Sequence, residues 1–165
     1  MKPVKLSELI DALEFESDEY VCRVDLLNGT VVRVERSLLY AAEDGNEDAL
    51  ENRPDWEQAD AEIAKAIAAD SGKRFVAAPD KFGFHEYRQM ERFIGSVEDR
   101  AAAEELGRAI RGKGAFRYFK DTAARLGLLK QWYQHRDNAL EQYARDWAEA
   151  HQVPVEDDTT SRPKG

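Results

Sequence analysis

The stretch EYVCRVDLLNGTVVRVER, residues 19–36, constrains the fold more than any other part of the sequence. Two runs rich in valine flank Asn28 and Gly29, and this dipeptide between alternating apolar residues is typical of a β-hairpin turn. A further short run, KRFVAAP at residues 73–79, predicts a third strand. The first half of the chain therefore predicts a small antiparallel β-sheet.

The register of the hairpin follows from keeping its apolar side chains on one face. A loop of two residues would mix apolar and charged side chains, whereas a loop over residues 27–29 pairs Val24 with Val32. We therefore expect a three-residue loop with Gly29 in the left-handed conformation. In this register Cys22 points inward as a small buried hydrophobic residue.

Much of the remaining chain has the apolar periodicity of helices. A short helix is expected at KLSELIDALEF, residues 5–15, with Ser7 capping its start, and another at residues 55–70. From Phe84 onward further helical stretches follow, and Gly112 ends one of them. The sequence therefore predicts an α+β fold in which the small sheet packs with a C-terminal stack of about four helices.

The length of 165 residues fits one compact domain. We expect a single α+β domain over residues 1–152, which includes an acidic loop at residues 43–54. The last stretch, VPVEDDTTSRPKG, is polar and contains proline, so it predicts a disordered tail at residues 153–165.

Charge is distributed unevenly along the chain. The formal net charge of -9 argues against a general binder of nucleic acid or of anionic membranes. Residues 1–70 carry 7 Lys/Arg against 18 Asp/Glu, whereas residues 71–152 carry 15 against 12. Such asymmetry indicates either an interaction face or attraction between the two halves of the chain.

The number of cysteines and the lack of long apolar stretches indicate where in the cell the protein is expected. Cys22 is the only cysteine, so neither a disulfide nor a cluster of thiolate ligands can form within one chain. No stretch is apolar enough for a signal peptide or a membrane span, so we expect a cytoplasmic protein without a membrane partner. Asp80, His85 and Glu86 lack the spacing of metal ligands, and the sequence indicates neither a metal nor a cofactor.

The segment RGKGAFRYFK, residues 111–120, contains the clearest candidate for a binding site. Gly112 and Gly114 flank Lys113 before a helix, which suits either an anion site or a tight turn with left-handed glycines. Aromatic and basic residues alternate here, and Phe116 is expected in the core. The basic residues can bind phosphates, or they form either a solvated face or a dock for the acidic half of the chain. The candidate binding residues are Arg108, Arg111, Lys113, Arg117, Tyr118 and Arg125.

Two charged residues fall on otherwise apolar helix faces. Glu91 lies between aromatic and aliphatic positions, and Arg136 falls near Trp132 and Tyr143 on the last helix. Because an unpaired buried charge is very costly, we expect Glu91 and Arg136 to form an ion pair. This pair either fixes how two helices dock or holds a carboxylate in an enzymatic site.

Several stretches together resemble a bacterial uncharacterised protein family, number 158 in its series. They are PDKFGFHEYRQMERFIGSV, AIRGKGAFRYFKDTAARLGL, WYQHRDNALEQYARDW and, near the start, VKLSELIDALEF. The resemblance covers most of residues 4–36 and 74–152. It implies the fold and a bacterial, cytoplasmic protein, and it implies no catalytic residue, cofactor or substrate.

The sequence favours a non-catalytic binding or regulatory protein that acts through the basic residues of its C-terminal helices. A protein partner is the first expectation, and a nucleic acid bound by the same residues is the alternative. No nucleophile motif is present, so an enzyme with an unrecognised site near Glu91 and Arg136 is the third hypothesis.

Overall fold

The computed structural model describes residues 1–15, 17–51 and 53–159. Short strands and longer helices make the chain an α+β protein, so the predicted fold class is confirmed. Among the described helices, none combines the length and the apolar composition that crossing a membrane requires.

The contacts within the chain separate two compact units. The first contains residues 1–80 and 144–165, and the second contains residues 81–143. The sequence predicted one domain over residues 1–152, whereas the structure divides this range between the two units. All strands of the described residues belong to the first unit, and the second consists of helices.

The first unit combines two small sheets with short helices. Its strands are β1 Val4–Lys5, β2 Tyr20–Asp25, β3 Thr30–Glu35, β4 Phe75–Ala77 and β5 Val155–Glu156. Its helices are α1 Leu6–Glu14, α2 Arg36–Glu43, α3 Glu47–Glu51 and α4 Gln58–Ala69, the last preceded by a 3₁₀ turn at Asp55–Glu57. Strand β2 pairs antiparallel with β3 and with β4, so the predicted three-stranded sheet is confirmed.

The register of the hairpin differs from its prediction by one residue. Val24 pairs with Val31 and not with Val32, so the loop spans residues 26–29. The prediction was wrong because it placed the apolar side chains on one face. Both faces are covered in the structure, since Val24 is buried on one face and Val34 on the other.

Gly29 is left-handed at φ 69°, as predicted. A methyl group at this position would lie 2.5 Å from the carbonyl oxygen of Pro3, so the close approach of the backbone also requires glycine. Cys22 was expected to be buried, but it lies opposite Arg33 and is only half-buried.

Asp25 fixes the hairpin loop and joins it to the start of β4. Its carboxylate, which is almost fully buried, accepts hydrogen bonds from the Leu27 backbone N–H and the Asn28 side chain, both at 3.0 Å. Arg74 donates to both carboxylate oxygens at 3.0 Å. Burial raises the pKa of Asp25, but the hydrogen bonds from Arg74, Asn28 and Leu27 outweigh it and hold this pKa below its ordinary value.

The acidic segment contains a helix where the sequence predicted a loop. Residues 43–54 were expected to form a loop, but their described part contains helix α3. Leu50 of α3 is buried in a hydrophobic cluster whose other buried members are Val34, Leu38, Leu39, Ala61 and Ala64. The prediction was wrong because one buried leucine is enough to seat a short helix whose other positions are acidic.

A short strand within residues 153–159 pairs with the start of the chain, so this part does not form the predicted disordered tail. The two valines in VPVE have strand spacing, and β5 pairs in parallel with β1. The backbone N–H and the hydroxyl of Ser7 both donate to Asp158. Ser7 therefore lies inside α1 and does not cap it, because Asp158 satisfies this N–H of the first turn. Residues 160–165 of the predicted tail lie outside the described residues.

The second unit is a stack of helices around an aromatic cluster. Its helices are α5 Lys81–Phe84, α6 Glu86–Ser96, α7 Arg100–Ala109, α8 Ala115–Arg125 and the larger part of α9 Leu129–Ala150. Trp132 of α9 is fully buried, and its ring centroid lies 4.9 Å from that of Phe119 and 5.6 Å from that of Phe93. Helices α6 to α9 confirm the predicted C-terminal stack.

His135 lies beside this aromatic cluster. Its ring stacks on Trp132 and meets Phe93 edge-on, with centroid separations of 6.0 and 5.6 Å. Its Nε2 atom is buried and has no hydrogen-bond partner among the described residues. Burial lowers the pKa of His135 and nearby Arg92 lowers it further, whereas a hydrogen bond to the Gln89 backbone acts in the opposite direction. The folded unit therefore favours the neutral ring.

Replacing Asp25 with alanine is expected to lower the free energy of unfolding by about 2–4 kcal/mol, because Arg74 and the loop N–H groups lose their acceptor. Urea unfolding at neutral pH measures this change. Since the pKa of Asp25 is lowered, its contribution is present above the ordinary carboxyl pKa of 3.8 and is lost as the pH falls below it. Asp11→Ala, at an exposed position of α1, is the control, and equal stability of the two variants would contradict the proposed role.

Acidification is expected to destabilise the second unit through His135. The unfolded ring titrates near its ordinary pKa of 6.5 and the folded ring below it, so the unfolded state gains protons first and stability falls as the pH drops through this range. Urea unfolding at about pH 7.5 and about pH 5.5 measures the effect. His135→Gln should lose this part of the pH dependence, whereas His151→Gln, at an exposed position, should keep it. Identical pH dependence in both variants would refute the assignment.

Candidate functional site

The candidate site is built on the turn between α7 and α8. Asp99 caps the start of α7, and its carboxylate accepts a hydrogen bond from the backbone N–H of Ala101 at 3.0 Å. In the turn, Gly112 and Gly114 are left-handed, with φ of 88° and 75°. The predicted tight turn is therefore confirmed, because glycine adopts this conformation without strain.

Helix α8 buries a narrow stripe and exposes its other positions. Ala115, Phe119 and Ala123, which are spaced four residues apart, are buried. Phe116 was expected in the core, but its side chain is 46% exposed. The prediction was wrong because it treated Phe116 and Phe119 as one face, whereas the four-residue spacing of the buried stripe already pointed to Phe119 alone. Lys120, one turn after Phe116, is also exposed and was missed by the sequence analysis.

All six predicted binding residues are exposed, and they lie on one continuous stretch from α7 through the turn into α8. We call them the basic surface: Arg108, Arg111, Lys113, Arg117, Tyr118 and Arg125. Arg108 and Arg111 line an open depression of about 460 Å³ together with Ala103, Glu104 and Gly107. The structure therefore brings these two arginines to one depression, and it places the other four residues on the turn and on α8.

The cations of the basic surface differ in their ion pairs. Arg125 pairs with Glu105 of α7. Arg117 lies 4.0 Å from Asp121 in a strongly exposed pair, which contributes little to stability. Among the described residues, no ion-pair partner is found for Arg108, Arg111 or Lys113. These three charges are therefore available to an anionic partner.

Tyr118 is the exposed aromatic residue of the basic surface, and its ring packs against the turn. The side chain is 57% exposed. A methyl group built on Gly114 would lie 3.1 Å from Cε2 and 3.4 Å from Cδ2 of this ring, so one edge of the ring occupies the space that a side chain would fill. The absence of a side chain at Gly114 therefore makes room for the ring, which remains largely exposed to solvent.

The predicted ion pair between Glu91 and Arg136 is wrong. Arg136 donates through Nε to Oε1 of Glu86 at 2.6 Å, and both side chains are largely buried, with exposures of 14% and 13%. Glu91 is exposed. The buried face of α6 runs through Met90 and Phe93, and Glu86 lies one turn before Met90 on this face, whereas Glu91 does not.

The segment around His85 forms the start of helix α6. His85 is left-handed at φ 54°, and its carbonyl oxygen accepts a hydrogen bond from the Arg88 backbone N–H at 3.0 Å. Glu86 is the first residue of α6, where its negative charge interacts favourably with the helix dipole. The part of the chain that the structure describes contains no group of three or more side chains arranged to hold a metal ion.

Comparison with known proteins adds a family to these observations. A family model described as Uncharacterised protein family (UPF0158) matches residues 1–161, which is nearly the whole chain. No curated protein and no solved structure matches the chain. The family description names no ligand, activity or partner, so a function has to be inferred from the chemistry of the surface.

Glu86→Gln is expected to lower the free energy of unfolding by about 1–3 kcal/mol, because the largely buried Arg136 guanidinium loses a charged acceptor. Glu91→Gln, five residues later on the same helix, should change it by less than about 0.5 kcal/mol. Chemical unfolding of the two variants beside the unmodified chain measures both values. A larger loss for Glu91→Gln than for Glu86→Gln would restore the pairing that the sequence predicted.

Proposed function

The chain belongs to the uncharacterised protein family UPF0158, and we propose that it is a non-catalytic binding or regulatory protein that acts through its basic surface. The observation that supports this proposal is the set of three exposed cations without an ion-pair partner among the described residues, which shortly precede the exposed Tyr118 in the chain. Aromatic residues and arginine are enriched where proteins meet their partners.

The charge distribution makes the basic surface distinct from the rest of the chain. Residues 1–70 have a net charge of -11 and residues 71–152 a net charge of +3. An anionic partner is therefore repelled by most of the chain and attracted locally, which favours specific binding over general adhesion to polyanions.

A non-catalytic role is supported by the ion pair that Arg136 forms with Glu86. The hypothesis of an enzyme depended on a carboxylate of Glu91 held by this arginine, and the structure separates the two residues. Two open depressions lie on the described surface, and neither is lined by Glu91 or Arg136. The enzyme hypothesis therefore loses the carboxylate–arginine pair on which it depended.

Both a protein and a nucleic acid are partners that suit the basic surface. A protein partner would offer carboxylates and an apolar side chain, and a nucleic acid would offer phosphates and bases. We further propose a cytoplasmic location in a bacterial cell, which is supported by the single half-buried cysteine and by the sequence resemblance.

The charge-reversal variant Lys113→Glu/Arg117→Glu tests whether the basic surface binds the partner. Partners captured from cell extract by the immobilised chain are identified, purified and titrated against the variant, and their affinity is expected to fall by about tenfold or more. Both substituted side chains are exposed, so the fold should be preserved.

The matched control is Lys65→Glu/Arg100→Glu, which changes the net charge equally at exposed positions outside the basic surface. This control should keep the affinity within about twofold. Equal loss in the two variants would mean a nonspecific charge effect, and full retention in Lys113→Glu/Arg117→Glu would overturn the proposed site.

A further inference from the structure

We propose that the ligand of the basic surface is single-stranded nucleic acid, with one base stacked on the exposed side of the Tyr118 ring. This inference rests on the proposed function and assigns its ligand class. The sequence analysis gave nucleic acid as the alternative partner. We choose it here because the Tyr118 ring is exposed beside Gly114.

The Tyr118 ring packs beside the turn at Gly114. This ring occupies the space that a side chain at Gly114 would fill, since a methyl group there would lie 3.1 Å from its Cε2 atom. The backbone N–H of Tyr118 donates to the Gly114 carbonyl oxygen at 3.0 Å. A ring that is packed on one side and 57% exposed offers a preformed flat surface to a base. Stacking of this kind tolerates every base, because each base has an aromatic face.

Basic residues precede and follow Tyr118 in the chain. Arg111 and Lys113 lie in the turn just before Tyr118, and Arg117 is its neighbour in the chain. Arg125 lies two turns further along the same side of α8, although Glu105 already pairs with it. Cations that precede and follow an exposed aromatic residue suit a strand whose phosphates alternate with its bases.

The shape of the surface also bears on the class of ligand. In protein–protein interfaces, the side chains that contribute most to affinity sit in well-packed apolar pockets that exclude water. The depression beside the turn is instead open, and it is lined by small and charged residues such as Gly107, Arg108 and Arg111. Single-stranded nucleic acid needs no such pocket, and the bases of a duplex are stacked on each other and cannot reach Tyr118. The shape therefore favours single strands over duplexes and over a protein anchor.

The test is fluorescence anisotropy with a labelled oligothymidine of about 12 nucleotides, measured at about 50 mM and about 200 mM salt. The unmodified chain should bind at the lower salt concentration and weaken by about tenfold or more at the higher one. Tyr118→Phe should bind normally, and Tyr118→Ala should bind about tenfold more weakly, because it removes the stacked ring and keeps the charges. Asp121→Asn should bind more tightly, because it removes the acidic partner of Arg117.

Two glycine variants provide the matched control. Gly114→Ala and Gly112→Ala both place a side chain on a left-handed residue, so both carry the same kind of backbone strain. Only the methyl group at Gly114 meets Tyr118, since a methyl group at Gly112 meets nothing within 4 Å. We expect Gly114→Ala to weaken binding about as much as Tyr118→Ala, and Gly112→Ala to bind nearly as well as the unmodified chain.

Binding that is unchanged in Tyr118→Ala would overturn the stacking on Tyr118, and an absence of binding at low salt would overturn the ligand class. A purified protein partner that binds the unmodified chain but not Lys113→Glu/Arg117→Glu would then keep the proposed function and replace its ligand. Failure of both experiments would overturn the inference and the proposed function together.

Discussion

The helical unit depends on the side chain of Trp132. This residue is fully buried, and its ring packs against Phe93 of α6 and Phe119 of α8. Its Nε1 atom has no hydrogen-bond partner among the described residues, so packing outweighs a polar contact at this position. Because Phe119 turns inward to meet Trp132, Arg117 and Tyr118 have to point away from the cluster. The exposure of Arg117 and Tyr118 is thus a consequence of this aromatic contact.

Charged groups have two distinct uses in this chain. The carboxylates of Asp25 and Glu86 are largely removed from solvent, and each is held by an arginine at hydrogen-bonding distance. A buried charge that lost its partner would be costly, so these pairs specify structure. The cations Arg111 and Lys113 are exposed and have no described ion-pair partner, so they contribute little to stability and are free to bind. This contrast separates structural charges from the candidate interface.

The features that the sequence predicted correctly depend on local rules. The hairpin, its left-handed Gly29, the third strand and the helical stack all follow from turn chemistry and apolar periodicity. The exposure of the basic surface was also largely predictable, because arginine and lysine are almost never fully buried without a partner. The support of Tyr118 by Gly114 was not predictable, since it depends on the left-handed backbone and on a side-chain rotamer.

The features that the sequence missed depend on distant partners. The hairpin register was set by burial of both sheet faces, and the tail was ordered by pairing with β1, neither of which is written in the local pattern. Arg136 meets Glu86 rather than Glu91 because Glu86 shares the buried face of α6 with Met90 and Phe93. A helical wheel that starts at Phe84, which belongs to α5, selects Glu91 instead.

Residue-resolved nuclear magnetic resonance of the labelled chain, titrated with oligothymidine at low salt, tests the central claim most directly. The account predicts saturable shifts at the backbone amides of residues 111–118 and at the ring of Tyr118, with the hairpin amides of residues 20–35 unchanged. Shifts confined to residues outside the basic surface, or none at saturating ligand, would contradict it.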